Sequence, residues 1–138
     1  MNEAPVRTTF RTGLITVAAI LAGLAFAAAL LPRGFSDDLS RIGQGGNVVV
    51  LIHNKDSVQS LDLMTLADAV RSDYAGKAEF LVADTNSGQG RAFIRGQQAD
   101  GYLLLFFGPD GTRRGALQQV KDEQALRLAI DQAFGRTR

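Results

Sequence analysis

The feature that most constrains the fold of this chain is the aliphatic run VVVLI at residues 48–52. The run is too short for a helix, and it lies between two glycines, at 45 and 46, and the polar segment that begins at His53. Successive β-branched and aliphatic residues indicate a strand that is buried on both faces, like the inner strands of α/β layers. Because α/β proteins place their chemistry at the carboxyl ends of such strands, the polar segment at residues 53–60 is the first place to look for function.

A second apolar run, GLITVAAILAGLAFAAALL at residues 13–31, contains no charge and only one polar side chain, Thr16. At 1.5 Å per residue, about 20 helical residues cross the roughly 30 Å hydrocarbon core of a bilayer. The sequence therefore predicts a transmembrane helix at residues 13–31. A short N-terminal segment at 1–12 precedes it, and a juxtamembrane linker at 32–46 follows it. In the linker, Ser36, Asp37 and Asp38 could cap a short helical turn, and residues 43–46 give flexibility.

The alternative for this run is a cleaved signal peptide. Arg7 and Arg11 resemble a basic leader, and Ala25-Phe26-Ala27 has the small-x-small form of a cleavage site. The run continues to Leu31, beyond the usual length of a signal core, which favours an uncleaved signal-anchor. The two arginines ahead of the span favour a single-pass protein with a cytoplasmic N-terminus and an extracytoplasmic (periplasmic) C-terminal domain.

Composition excludes several classes of function. The chain has no cysteine, one histidine and two methionines, so disulfides, thiolate nucleophiles and thiolate or imidazole-rich metal sites are unavailable. The formal net charge is +1, without the basic stripe of a nucleic-acid-binding protein. The loop NSGQG at residues 86–90 lacks the third glycine of a dinucleotide site and the lysine of a phosphate loop. We therefore expect no cofactor, no metal ion and no nucleic acid.

The remaining elements follow from hydrophobic periodicity and turn signals. A strand, a helix and a second buried strand come first, and this order predicts a parallel, right-handed unit. The turn GPDG at residues 108–111 then joins two strands that we expect to be antiparallel. The predicted elements are strand 48–53, helix 57–74, strand 78–84, short helix 91–95, strands 102–107 and 112–117, and amphipathic helix 121–134.

This order predicts an α/β domain at residues 47–135, with a four-stranded mixed sheet and helices on both faces, and a tail at 136–138. The domain resembles the thioredoxin fold. The segment AEFLVAD at 78–84 is similar to the strand that follows the first active-site helix of thioredoxins. The segment LLFF at 104–107, its glycine-bearing turn and the closing helix are similar to the C-terminal half of that family.

Thioredoxins carry a Cys-x-x-Cys pair after the first of these strands, and the resemblance places Ser57 and Ser60 at the two cysteine positions. A hydroxyl cannot form the mixed disulfide on which thiol exchange depends. The resemblance also places Leu51 at the family's buried aspartate, and Tyr102 nearest to its cis-proline. It therefore implies a redox-inactive protein. The segment SVQS at 57–60 is equally compatible with a polar loop that only caps a helix.

Three functional interpretations remain open. The first is a membrane-anchored protein-binding or accessory subunit of a membrane or extracytoplasmic complex, which contacts its partner through residues 53–60, 97–102 and two arginines. The second is a hydrolase-like enzyme that uses His53 and Ser57. Such an enzyme needs a third group to orient the base and an oxyanion hole, and no G-x-S-x-G elbow is present, so we expect no catalytic residue. The third is a secreted soluble domain released by cleavage after Ala27. The predicted partner-binding residues are His53, Asp56, Ser57, Ser60, Arg91, Arg95 and Tyr102.

Overall fold

The computed structural model describes residues 7–30, 34–101 and 103–135, and the chain divides into two compact units, Met1–Gly34 and Phe35–Arg138. In the first unit, helix α1 (Arg7–Leu30) begins ahead of the predicted start at residue 13. Its side chains at 12–29 are all exposed, and the window Thr12–Ala29 has a mean hydropathy of 2.1. Such a helix is consistent with a membrane anchor or with a signal sequence. The predicted tail at 136–138 lies outside the described residues.

Over the residues that the structure describes, the second unit is a four-stranded mixed sheet with three α-helices, which confirms the predicted α/β class. The elements in chain order are β1 (Asn47–His53), α2 (Val58–Arg71), β2 (Ala78–Asp84), α3 (Gly88–Gln97), β3 (Leu103–Phe107), β4 (Arg113–Gln118) and α4 (Glu123–Phe134). The strand order is β2-β1-β3-β4, in which β1 pairs with β2 in parallel and the other two pairs are antiparallel.

Strand β1 lies inside the sheet, and residues 48–52 are at most 2% exposed. Because successive side chains of a strand point to opposite faces, the run divides between two apolar clusters. Val49 and Leu51 pack in one cluster with side chains of α2 and α4, and the alternate residues pack in the other with Phe93 and Ile94 of α3. Both faces of the sheet are therefore covered, as the unbroken aliphatic run predicted.

Helix α3 is longer than predicted, because it includes the glycines that the sequence interpretation assigned to a loop. Ser87 caps its start by accepting a hydrogen bond from the Gly90 N–H at 2.8 Å, and the Ser87 hydroxyl donates to the Asp84 carbonyl at 3.1 Å. A Cβ atom at Gly90 would lie 2.7 Å from the Asp84 carbonyl carbon and closer still to its oxygen. Gly90 therefore allows α3 to approach the end of β2.

The segment before β1 was predicted as a linker with a short helical turn, and residues 39–41 form a 3-10 helix there. From Phe35 onward the segment also packs against the domain. The rings of Phe35 and Phe80 lie 6.3 Å apart, and Leu39 is buried. Ser36 forms an isolated bridge beside β2, where its carbonyl accepts the Val82 N–H at 2.8 Å. The compact unit therefore begins ahead of residue 47, because these contacts cover part of the outer edge of β2.

Candidate functional site

A short loop joins β1 to α2, and one of the two serines that were predicted to bind a partner lies at the start of this helix. Ser57 is the N-cap residue, and its Oγ accepts the Ser60 N–H at 3.4 Å while donating to Gln59 Oε1 at 3.0 Å. The first N–H groups of a helix lack partners within the helix, and a serine hydroxyl is well suited to satisfy one of them. Ser57 is only 7% exposed. Its hydroxyl therefore holds the helix start in place.

Ser60 is fully buried and connects the start of α2 to the end of β1. Its Oγ lies 2.7 Å from Nδ1 of His53 and accepts the Asn54 N–H at 2.9 Å. An assignment in which Ser60 donates to Nδ1 and accepts from Asn54 satisfies all three groups. Under that assignment the His53 proton lies on Nε2. The arrangement stabilises the junction between the strand and the helix.

This geometry differs from the pairing that the hydrolase interpretation requires. That interpretation paired His53 with Ser57, whereas the structure pairs His53 with Ser60, whose hydroxyl is inaccessible to a substrate. A nucleophile also needs a base that a third group orients. Within the part of the chain that the structure describes, no carboxylate is hydrogen-bonded to the His53 ring. The residues chosen from sequence therefore do not form a nucleophile and its activating base.

The structure places two sets of the other predicted contact residues apart from each other. Asp56 is exposed in the loop before α2, where its N–H donates to Asn54 Oδ1 at 3.0 Å. Arg91 and Arg95 are exposed on α3, which packs on the opposite face of the sheet from α2. Tyr102 lies outside the described residues. The structure therefore does not join the two arginines to the turn that holds the serines, and their role in partner binding stays a prediction.

An open groove of about 610 Å³ lies beside the first turns of α2. Three segments meet there because of strand direction: β3 begins, and β4 ends, at the edge of the sheet where β1 ends. Two of these segments were predicted from sequence as contact segments, whereas the connection from β4 to α4 was not. The lining residues are Gln59, Asp62, Leu63, Asp100, Gly101, Gln118, Gln119, Val120 and Lys121.

Two large apolar side chains are exposed on the same part of α2. Val58 is 69% exposed and Leu61 is 50% exposed, and they alternate along the helix with Gln59 and Asp62, which line the groove. Single exposed apolar residues are common on protein surfaces, but an apolar pair beside a concave surface is typical of a contact site. The site therefore presents an apolar contact area, carboxylates and amides to solvent, whereas its serine hydroxyls are buried.

Comparison with solved structures shows a thioredoxin-like fold. Thioredoxin O2 from Arabidopsis thaliana, in its oxidized state, is 14% identical, with a TM-score of 0.58 over 69% of this chain and 84% of that one. An uncharacterized thioredoxin-like protein from Clostridium perfringens is 10% identical, with a TM-score of 0.65 over 77% of this chain and 84% of that one. No family model and no curated protein sequence matches the chain.

At these identities the likeness shows the fold alone. The resemblance drawn from sequence is confirmed at that level, and the chain has no cysteine with which to form a Cys-x-x-Cys motif. Thioredoxin-type dithiol activity is therefore excluded, because the reaction proceeds through a thiolate and a mixed disulfide.

Proposed function

We propose that this chain is a membrane-anchored, redox-inactive binding module that serves as an accessory or assembly subunit of a membrane or extracytoplasmic protein complex. In this proposal α1 spans the bilayer with its N-terminus in the cytoplasm, and the domain that begins at Phe35 lies on the extracytoplasmic side. The surface that binds the partner protein comprises the groove together with Val58 and Leu61. We call this set of residues the groove surface.

The observation that carries the proposal is the contrast between the serines and the side chains next to them. Ser57 and Ser60 occupy the first turn of α2, yet they are at most 7% exposed and their hydroxyls bond within the chain. Val58 and Leu61 are adjacent to them in sequence and are at least half exposed. A helical turn whose hydroxyl groups are buried and whose apolar side chains are exposed is suited to contact rather than to catalysis.

The membrane part of the proposal rests on α1, whose small residues between Ala22 and Ala29 would allow close contact with other membrane helices. The apolar run is longer than a signal core, which favours a signal-anchor. A signal-anchor is not cleaved, so the mature protein keeps its N-terminus. Intact-mass spectrometry of the protein purified from native membranes is expected to show a chain that begins at Met1 or Asn2. A chain that begins at Ala28 would instead support the secreted domain.

The groove surface is tested by Leu61→Asn. Contact with a partner would desolvate the new amide without supplying a hydrogen-bond partner, so the complex should be weakened by at least about tenfold, equivalent to roughly 1.4 kcal/mol. The measurement is the amount of partner protein that co-purifies with the full chain in mild detergent. Leu128 of α4 is 58% exposed and does not line the groove, so Leu128→Asn is the matched control and should retain the partner.

Two outcomes would contradict this proposal. Equal retention by both variants would place the contact elsewhere on the domain. A lone monomer after gentle extraction of the unaltered protein would count against an accessory subunit of a stable complex.

A further inference from the structure

The carboxylates of the described residues fall into two groups. Most of them bond to a cation, to a backbone N–H or to a hydroxyl of another described residue. Of the four that do not, two line the groove, a third precedes α2 in the adjacent loop, and the fourth lies in the segment before β1. The engaged carboxylates are those of Asp38, Asp68, Asp73, Glu79, Asp84, Asp110, Asp122, Glu123 and Asp131. The four without such a partner are Asp37, Asp56, Asp62 and Asp100.

The two groove carboxylates belong to elements that are distant in sequence. Asp62 comes from α2, and Asp100 comes from the loop that enters β3, so only folding brings both to one concavity. Both side chains are exposed, and Lys121 is the single cation among the lining residues. Carboxylates of like charge at one concave surface create a local negative potential, and a cation that enters the groove is attracted by it.

The other lining groups suit a polypeptide rather than a metal ion. Gln59, Gln118 and Gln119 offer amide donors and acceptors of the kind that pair with a peptide backbone. A volume of about 610 Å³ lies within the usual range for ligand sites, and it accommodates a few residues of extended chain. Among the residues that the structure describes, no three histidine or carboxylate side chains are grouped as metal ligands.

We infer that the groove binds an extended polypeptide segment that carries lysine or arginine, and that Asp62 and Asp100 neutralise the charge of that side chain. This inference rests on the proposed binding function and names the chemistry of its partner. The exposed Val58 and Leu61 beside the groove add apolar contact for a neighbouring residue of the same segment. Selectivity then comes from the two carboxylates, because amides and apolar contacts accept many sequences.

The test is selection of a displayed random-peptide library on the full-length protein in lipid nanodiscs. We expect the selected peptides to be enriched in lysine and arginine at one position. A selected peptide should bind roughly fivefold more tightly than its glutamine-substituted counterpart in fluorescence anisotropy, which is the gain that a partly exposed ion pair provides. This preference should decrease when salt is raised from about 0.05 M to about 0.5 M, because exposed charges are screened.

The double variant Asp62→Asn, Asp100→Asn should still select peptides but lose the basic preference. Asp37→Asn is the matched control, because Asp37 is also exposed and without a side-chain partner but does not line the groove; it should keep the preference. Selected peptides without basic enrichment, or a preference that survives the double substitution, would overturn this inference and leave the binding function standing. Failure of the unaltered protein to select any peptide would overturn the binding function of the groove as well.

Discussion

Replacing Gly90 with alanine is expected to lower the free energy of unfolding of the domain by at least about 2 kcal/mol. The new Cβ atom would lie 2.7 Å from the carbonyl carbon of Asp84 and 2.8 Å from its nitrogen. These are backbone atoms, so no side chain can turn away to make room, and α3 must move off the end of β2. That movement also pulls apart the Ser87 cap, which bonds to both Gly90 and Asp84. Urea unfolding followed by circular dichroism measures the loss.

Gly96 provides the control for this substitution because it lies in the same helix and has no atom within 4 Å of an added Cβ. Alanine there should raise the free energy of unfolding by about 0.5–1 kcal/mol, since glycine loses more backbone entropy than alanine when a helix forms. Opposite signs for the two glycine substitutions are therefore expected. Equal effects would mean that helix propensity, and not the contact with Asp84, determines the need for glycine at residue 90.

The same contact explains why the sequence analysis placed α3 at 91–95 and missed its first turn. Glycine is unfavourable in helices, so the pattern NSGQG indicates a loop when it is considered alone. The requirement for a residue without a Cβ comes from Asp84, at the end of another element, and no local pattern reveals it. The Ser87 cap was a usable signal, because a serine that precedes a helix by one residue is a common start.

The sheet was predictable because its signals are local and strong. The run at 48–52 could only be an inner strand, and the bounds predicted for the second strand, 78–84, agree with β2. The packing of Phe35 and the part of the groove formed by residues 118–121 could not be predicted, for a different reason. A single aromatic residue has no periodicity, and the connection at 118–121 carries no motif. Phe35 and this connection acquire their positions only when the four strands have formed the sheet.

Exchanging Ser57 and Ser60 together for cysteine is expected to create an intramolecular disulfide in this cysteine-free chain. The two residues are the N-cap and the third helical position, and the Ser60 nitrogen lies 3.4 Å from Ser57 Oγ, so both side chains lie on one side of the first turn. A thiol at a helix start is also more readily ionised, which favours oxidation. Alkylation under denaturing conditions, followed by mass spectrometry, counts the free thiols before and after mild oxidation.

The pair Ser57→Cys, Thr65→Cys is the control and should stay reduced as a monomer, because eight residues at 1.5 Å each separate the two positions by about 12 Å along α2, beyond the roughly 7 Å that a disulfide can span between Cα atoms. The disulfide variant should nevertheless catalyse thiol exchange slowly. Leu51 is fully buried at the position where the resemblance places a proton-accepting aspartate, so no side chain there can assist release of the buried thiol. A disulfide without efficient thiol exchange would show that residues 57 and 60 keep the spacing of the thioredoxin cysteine pair, and that the activity is lost at several other positions as well. No bridge at all would mean that the segment SVQS only caps a helix, and that its spacing is unrelated to the cysteine pair.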